Sequence, residues 1–326
     1  MSRKARALYF TAPRKVEIRE EEVQAENDQV LVHSRLIGIS HGTELLAFLG
    51  QMPQELAADA ALESLKGTLA YPLKYGYINT GETDDGRRVF AFYPHQDIFA
   101  LDPRQLIELP TDLDFPDAVF LASMETALSI VHDAQPLFGE VVLVVGQGVV
   151  GLLVAEILVR SGTGRVITVE PFAERRRVSE QIGCVALQPA DQLPELIRKE
   201  SGGRGVDVAI NVSASAAGLQ LGIDSLVFEG TLVEASWYGT REVNLTLGSA
   251  FHRKRLRIRS SQVSRIDAAL TARWDKGRRL DVVLGLLKQI QPSRYISHRF
   301  ALHRAQEAFE LLETHPEQSI QVVLEP

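Results

Sequence analysis

Thiols are nearly missing from this chain: Cys184 is the only cysteine in 326 residues. A single cysteine permits no intramolecular disulfide and no metal cluster of several thiolates. Long apolar runs are missing too, and no window approaches the roughly 18 uninterrupted apolar residues of a membrane span. Met1 to Phe10 carries charges and holds no apolar stretch long enough for a signal peptide. A soluble, cytoplasmic protein is therefore expected. Positive charge is not in surplus: 35 Lys and Arg against 42 Asp and Glu leave a net charge of −7. Nucleic acid and anionic membrane both call for a basic footprint, so neither is expected as a general partner. The run His252, Arg253, Lys254, Arg255, Arg257, Arg259 is a local exception, read first as a solvated strand face and second as a phosphate or subunit contact. What is present is ordinary: 45% hydrophobic and 24% charged residues, enough to fill two cores at this length.

The pattern along the chain changes twice. In the first part, Lys15–Glu20, Gln29–Ile39, Arg87–Phe92 and Ile98–Leu101 read as short strands, and Gln29–Ile39 runs into the glycine-containing stretch Gly38–Gly42. After Pro110, apolar strand patterns at Val141–Val145, Arg165–Val169, Val206–Ile210 and Gly230–Glu234 alternate with helical patterns at Val149–Val159, Ala173–Ile182 and Ala216–Phe228. Such alternation predicts a parallel sheet covered on both faces, the doubly wound arrangement. The last part returns to mixed structure: helices at Arg278–Ile290 and His303–Glu313, strands at Ser297–Ala301 and Ser319–Leu324. The expected fold is α/β, a doubly wound domain at residues 119–262 inserted in a mostly β domain formed by 1–118 and 263–326.

Chemistry is most concentrated at the first of the central strands. Val141–Val145 leads into Gly146-Gln147-Gly148-Val149-Val150-Gly151, and an apolar helix leads out. In a dinucleotide site, Gly146 would permit the tight turn, Gly148 the backbone approach to the pyrophosphate, and Gly151 close helix–strand packing. The helix amino terminus adds amide donors and the positive end of a dipole. Glu170 lies 19 residues beyond Gly151 at the end of the next strand, where an acid should bind the adenosine ribose. The bland alternative is a tight turn holding no ligand. Glu170 favours NAD over NADP because a carboxylate repels a 2′-phosphate, while Arg175 and Arg176 could accommodate that phosphate.

With this motif set between two β-rich ends, nearly the whole chain resembles the medium-chain dehydrogenase/reductase superfamily. Gly38-Ile39-Ser40-His41-Gly42-Thr43-Glu44 is similar to the first active-site loop of that family, and Tyr75-Gly76-Tyr77 falls where zinc-dependent members have Gly-His-Glu. Gly205-Val206-Asp207 with Ala209–Ser213, and Gly230–Val233 followed by Trp237, resemble the strands beside the nicotinamide. The resemblance implies a GroES-like catalytic domain around a Rossmann domain. It also implies cofactor contacts from His41, Asn211, Ser213, Ser236 and Trp237, in addition to the glycine loop, Glu170 and Arg175. The zinc ligands do not carry over. Relatives place cysteine at the position of Ser40 and histidine at that of Tyr77; only Glu125 matches a third ligand position, and the four-cysteine structural zinc loop is absent. A zinc-free enzyme is expected, since zinc favours thiolate and imidazole. Gly-Ile-Ser-x-Gly-Thr-Glu, Lys-Tyr-Gly-Tyr, His-Gln-Asp and Met-Glu-Thr-Ala together resemble bacteriochlorophyllide a dehydrogenase, which oxidises a hydroxyethyl group on a chlorin ring.

Alcohol oxidation without zinc needs a side chain to stabilise the oxygen and move its proton. Tyr77 is the leading candidate, against a packing tyrosine. Glu44 and Glu125 sit in apolar stretches and could act as general base; the alternative is a buried anchor or helix-terminal acid. Ser40 could bond substrate or merely replace a thiol, and the relay hydroxyl of zinc enzymes would fall at Gly42. His95 could line the active site or lie on an exposed loop, and Lys74 reads as a surface charge. The expected reaction interconverts a secondary alcohol and a ketone with NAD, NADP remaining the second choice. Two other readings stay open: an NADPH-dependent quinone or enone reductase, and a non-catalytic NAD(H)-binding sensor or structural protein. The substrate is a small molecule in the first two, and a homodimer or homotetramer is expected.

Overall fold

A computed structural model describes residues 2–26, 28–57, 64–65 and 67–326. In chain order its elements are β1 (Arg3–Ala12), β2 (Lys15–Val23), β3 (Val30–Gly38), α1 (His41–Leu49), β4 (Asn79–Thr83), β5 (Arg88–Ala91), β6 (Ile98–Leu101), β7 (Leu106–Glu108), α2 (Phe115–Ala118) and α3 (Leu121–Ala134). There follow β8 (Val141–Val145), α4 (Val149–Arg160), β9 (Arg165–Val169), α5 (Ala173–Ile182), β10 (Val185–Leu187), α6 (Leu193–Glu200), β11 (Val206–Asn211), α7 (Ala216–Ser225) and β12 (Leu226–Glu234). The chain ends with α8 (Ala250–Arg253), β13 (Arg257–Ser260), α9 (Lys276–Ile290), β14 (Ile296–Ala301), α10 (Ala305–Thr314) and β15 (Gln321–Glu325). No helix among the described residues is long and apolar enough to cross a membrane.

Contacts divide the chain into two compact units, the first comprising 1–122, 239–241 and 285–326, the second 123–238 and 242–284. The return to the first unit thus falls inside α9, at Gly285, rather than at residue 263.

The first unit is mostly β. Its main sheet has the order β14-β15-β3-β4-β5-β7, with β6 paired to β3. The two chain ends meet in this sheet, where Val323 and Leu324 of β15 pair antiparallel with Gly38 and Ile37 of β3. A separate antiparallel hairpin joins β1 to β2. Hydrophobic alternation in β2 is legible in the sequence, while β1 draws its stability from Leu8 and Phe10, both fully buried. The core of this unit centres on three rings: Phe309 lies edge-on to Phe10 at 5.1 Å and stacks on Phe48 at 5.3 Å. Aromatic pairs of this kind add about 0.5–1.5 kcal/mol beyond burial of their area. The stretch Gly38–Gly42 is not all loop, because α1 starts at His41 and buries Leu46, Ala47 and Phe48.

The second unit is a six-stranded parallel sheet of order β10-β9-β8-β11-β12-β13. Val142, Leu143 and Val144 have no exposed surface. A strand covered on both faces has no use for polar alternation, which explains its continuous apolar run. Strand order reverses between β8 and β11, and the crevice at their carboxyl ends is where doubly wound sheets bind ligands. Two expectations need correction here. The helical pattern Ala216–Phe228 stops at Ser225, because Leu226 enters β12 and pairs with Val206. The basic run is not one strand face: His252 and Arg253 close α8, and only Arg257 and Arg259 lie in β13. Lys254 Nζ donates to the Leu226 carbonyl at 2.6 Å and Arg255 pairs with Glu229, so part of that charge is used within the unit.

Candidate cofactor and proton-transfer sites

The three glycines of the β8–α4 turn have three different reasons to be glycine. Gly146 adopts a φ of 96°, a region that L side chains rarely enter. Its missing Cβ would also stand 3.0 Å from the backbone of Ser213, so the turns after β8 and β11 touch at the switch point. At Gly151 a Cβ would lie 2.0 Å from the Gly146 carbonyl oxygen, and no side chain fits there. Gly148 is different: it is the N-cap of α4 with no side-chain cap, and a Cβ there would meet only the Arg175 guanidinium at 3.9 Å. The protein itself does not require glycine at 148. An anionic ligand approaching the uncapped amides of α4 would, because its oxygens need close backbone contact.

Glu170 is 98% shielded, with an exposure of 2%. Its Oε2 accepts the Gln147 N–H at 2.7 Å and its Oε1 accepts the Phe172 N–H at 3.0 Å, so the carboxylate braces the glycine loop. Each oxygen retains acceptor capacity for a ribose hydroxyl. Arg175 is largely buried, its guanidinium 4.9 Å from the Phe172 ring centre; burial lowers its pKa, and the neighbouring Glu170 charge opposes that shift. Arg176 instead donates to the Glu170 and Pro171 carbonyls. Val149 and Val150 open α4, with Val149 buried.

A second group lies at the carboxyl ends of β11 and β12. Asn211 has no exposed surface; its Nδ2 donates to Glu234 Oε2 at 2.7 Å and to the Tyr238 hydroxyl at 3.1 Å. Its Oδ1 accepts the Ser213 hydroxyl at 2.7 Å. Ser236 Oγ accepts the Ala214 N–H at 3.0 Å, and Trp237 is 41% exposed. Glu234 and Tyr238 were not singled out from the sequence. The available signal was that Glu234 ends an apolar parallel strand, as Glu170 does.

The remaining candidates gather in the first unit around the start of α1. Ser40 is the N-cap of α1, yet its side chain makes no capping bond. Tyr77 donates its phenolic O–H to Ser40 Oγ at 2.5 Å. Glu44, in the first turn of α1, is fully buried; Oε1 accepts the Ser40 N–H at 2.9 Å and Oε2 lies 2.6 Å from His95 Nε2. Of the two readings of Glu44, this geometry is that of an anchor. His95 is likewise without exposed surface, so it does not sit on an open loop. Gly76 lies against its ring. His41 Nε2 accepts the Val322 N–H at 3.3 Å. Lys74 is no free surface charge: it pairs with Glu21 at 2.6 Å and lies 5.8 Å from the Tyr9 ring centre. Burial, with the Glu21 hydrogen bond second, pushes the Tyr9 phenol up to about 12.

Glu125, in α3 of the second unit, is not in apolar surroundings. Its Oε1 accepts from Arg279 at 2.6 and 3.1 Å, and Arg279, 2% exposed, also donates to Ser129 Oγ and the Val263 carbonyl. That carboxylate is committed to a buried ion pair. As for zinc, Ser40 and Tyr77 offer two neutral oxygens bonded directly to each other, a donor set that does not fit a zinc ion. Among the described residues no group of three or more His, Cys, Asp or Glu could hold a metal.

Residues 149–276 match the family model described as zinc-binding dehydrogenase. Among curated proteins, the uncharacterized zinc-type alcohol dehydrogenase-like protein YphC of Escherichia coli K12 is 26% identical over 237 residues, 71% of this chain and 64% of that protein. The D-guloside 3-dehydrogenase of the same strain is 26% identical over 343 residues, covering 97% of this chain and 98% of the relative. Among solved structures, 2R,3R-butanediol dehydrogenase from Bacillus subtilis superposes with a TM-score of 0.80 at 20% identity, covering 99% of each chain. An alcohol dehydrogenase from Escherichia coli CFT073 in complex with NADH gives a TM-score of 0.79 at 17% identity, again covering 99% of each. The chain has the fold of the medium-chain alcohol dehydrogenases.

Proposed function

We propose that this protein interconverts a secondary alcohol and a ketone with NAD(H), without zinc, and that the Ser40–Tyr77 hydroxyl pair handles the proton. The observation that carries this reading is the 2.5 Å Tyr77–Ser40 bond at an N-cap serine whose hydroxyl leaves its own helix uncapped. A serine in that position ordinarily bonds a helix amide. Here it is aimed at a phenol, and paired hydroxyls can accept an alcohol proton or donate to a carbonyl oxygen. A bound nicotinamide would supply the hydride acceptor for oxidation of the alcohol to a ketone, which also releases one proton. Gly146, Gly148 and Gly151 would take the pyrophosphate, Glu170 the ribose, with Arg175, His41, Asn211, Ser213, Ser236 and Trp237 around the dinucleotide. Glu125 is assigned to stability rather than to proton transfer. The substrate class extends from small diols and sugar derivatives, after which the relatives are named, to a hydroxyethyl group on a ring. A cytoplasmic homodimer or homotetramer is the assembly proposed.

The first experiment titrates the purified, metal-analysed protein with NADH and with NADPH, following energy transfer from tryptophan. Tighter NADH binding is expected. Tighter NADPH binding would transfer the role of Glu170 to Arg175 and favour the double-bond reductase, and binding of neither overturns the proposal. Turnover of a secondary-alcohol panel should survive exhaustive chelation and fall by about 100-fold in Tyr77→Phe.

A further inference from the structure

Glu44 and His95 are polar and fully buried. Replacing such a pair with apolar residues is often neutral or stabilising, so stability alone gives a poor account of it. Its geometry gives a better one. One carboxylate acts on two separate segments: Oε1 holds the Ser40 backbone N–H at 2.9 Å, and Oε2 holds His95 Nε2 at 2.6 Å. A carboxylate only accepts, so Nε2–H is the donor and the other ring nitrogen is Nδ1. That Nδ1 is buried and has no hydrogen-bond partner among the described residues. The ring is therefore held from one edge and packed on its face. What it packs against is Gly76, where a Cβ would stand 2.5 Å from Cε1 and 2.6 Å from both ring nitrogens. Gly76 has a φ of 105°, and this turn separates buried Tyr75 from half-buried Tyr77.

We infer that Glu44 and His95 are positioning residues for the Ser40–Tyr77 hydroxyl pair: Glu44 fixes Ser40 through its backbone, and the His95 ring fixes Tyr77 through Gly76. This rests on the reading that the hydroxyl pair handles the proton. It removes Glu44 from the candidate general bases, since both of its oxygens are engaged and neither is exposed.

The test uses His95→Gln, Glu44→Gln, Tyr77→Phe and the double variant H95Q/Y77F of the full chain. Each is examined by crystallography, NADH titration and turnover of butane-2,3-diol and 2-butanol. His95→Gln should keep NADH affinity, break the Tyr77–Ser40 contact, and lower kcat by about 100-fold with little change in KM. It should add no further loss to Tyr77→Phe, because both act on one hydroxyl. A Tyr77–Ser40 contact preserved in both His95→Gln and Glu44→Gln overturns the inference, whatever the turnover. A broken contact with turnover indifferent to Tyr77→Phe supports the positioning and overturns the proton role instead. If His95→Gln does not fold, Glu44→Gln, which keeps the side-chain volume, carries the same readouts.

Discussion

Two buried glutamates brace two loops in this molecule, one in each unit. Glu170 accepts the N–H groups of Gln147 and Phe172 beside the glycine turn; Glu44 accepts the N–H of Ser40 and meets His95 beneath the tyrosine loop. The difference lies in where the partners come from. Gln147 is 23 residues from Glu170, within one strand–helix–strand unit, whereas His95 is 51 residues from Glu44 and meets it only in the folded chain. The first brace serves a loop whose shape is dictated by backbone sterics. The second serves side chains whose direction depends on a distant ring. A glycine turn can thus be specified by a short segment, and the setting of the Ser40–Tyr77 hydroxyl pair cannot.

A third glutamate gives the largest test of that contrast. The sequence places Glu44 and Glu125 on the same footing, but the partner of Glu125 is a guanidinium that is 2% exposed. Glu125→Ala should cost about 3–5 kcal/mol in denaturant unfolding, because it strands a buried charge. Replacing Glu125 and Arg279 together by apolar residues should restore much of that loss. If Glu125→Ala is as stable as the parent but inactive, Glu125 belongs with the chemistry after all.

The glycine turn offers a test internal to one loop. Gly151→Ala forces a Cβ to within 2.0 Å of the Gly146 carbonyl, and should cost about 3 kcal/mol and abolish NADH binding. Gly148→Ala meets nothing closer than 3.9 Å, so its stability should stay within about 0.5 kcal/mol. NADH affinity should nevertheless fall about tenfold, near 1.4 kcal/mol. Thermal melts and NADH titrations of the two variants read both quantities. Equal losses of stability would mean that Gly148, too, is a folding requirement and carries no sign of a ligand.

These contrasts mark how far the sequence could be read. The parallel strands Val141–Val145 and Arg165–Val169 and the helix Ala173–Ile182 appear in the structure with the bounds their patterns suggest. Their signals are local: apolar runs, period, and glycine at the ends. β1 and α1 were missed, because β1 alternates weakly and α1 begins with His41-Gly42, where a loop reads as well as a helix. In the candidate site, the shape of the glycine turn after β8 was legible for the same local reason, whereas the bonds of Glu170 to Gln147 and Phe172 were not. The Glu44–His95 contact was not, since nothing in either residue's neighbourhood names the other. The Glu125–Arg279 pair spans 154 positions and was hidden in the same way.

The smallest expected effect lies on α3, where the His132 ring rests 4.3 Å from Trp274. Burial, and after it the charge of Arg279, lowers the His132 pKa below its ordinary 6.5, while Asp133 opposes the shift. Between the lowered value and 6.5 the unfolded chain binds more protons than the folded one. Stability therefore rises with pH across that window and declines as pH falls through it. Above 6.5 both states hold the ring neutral, and His132 contributes no slope. His132→Gln removes this titration without touching the glycine turn or the hydroxyl pair. Urea midpoints measured at about pH 7.5 and about pH 5.5 should therefore drop less in the variant than in the parent. Equal drops would show that His132 does not set the acid sensitivity of the fold.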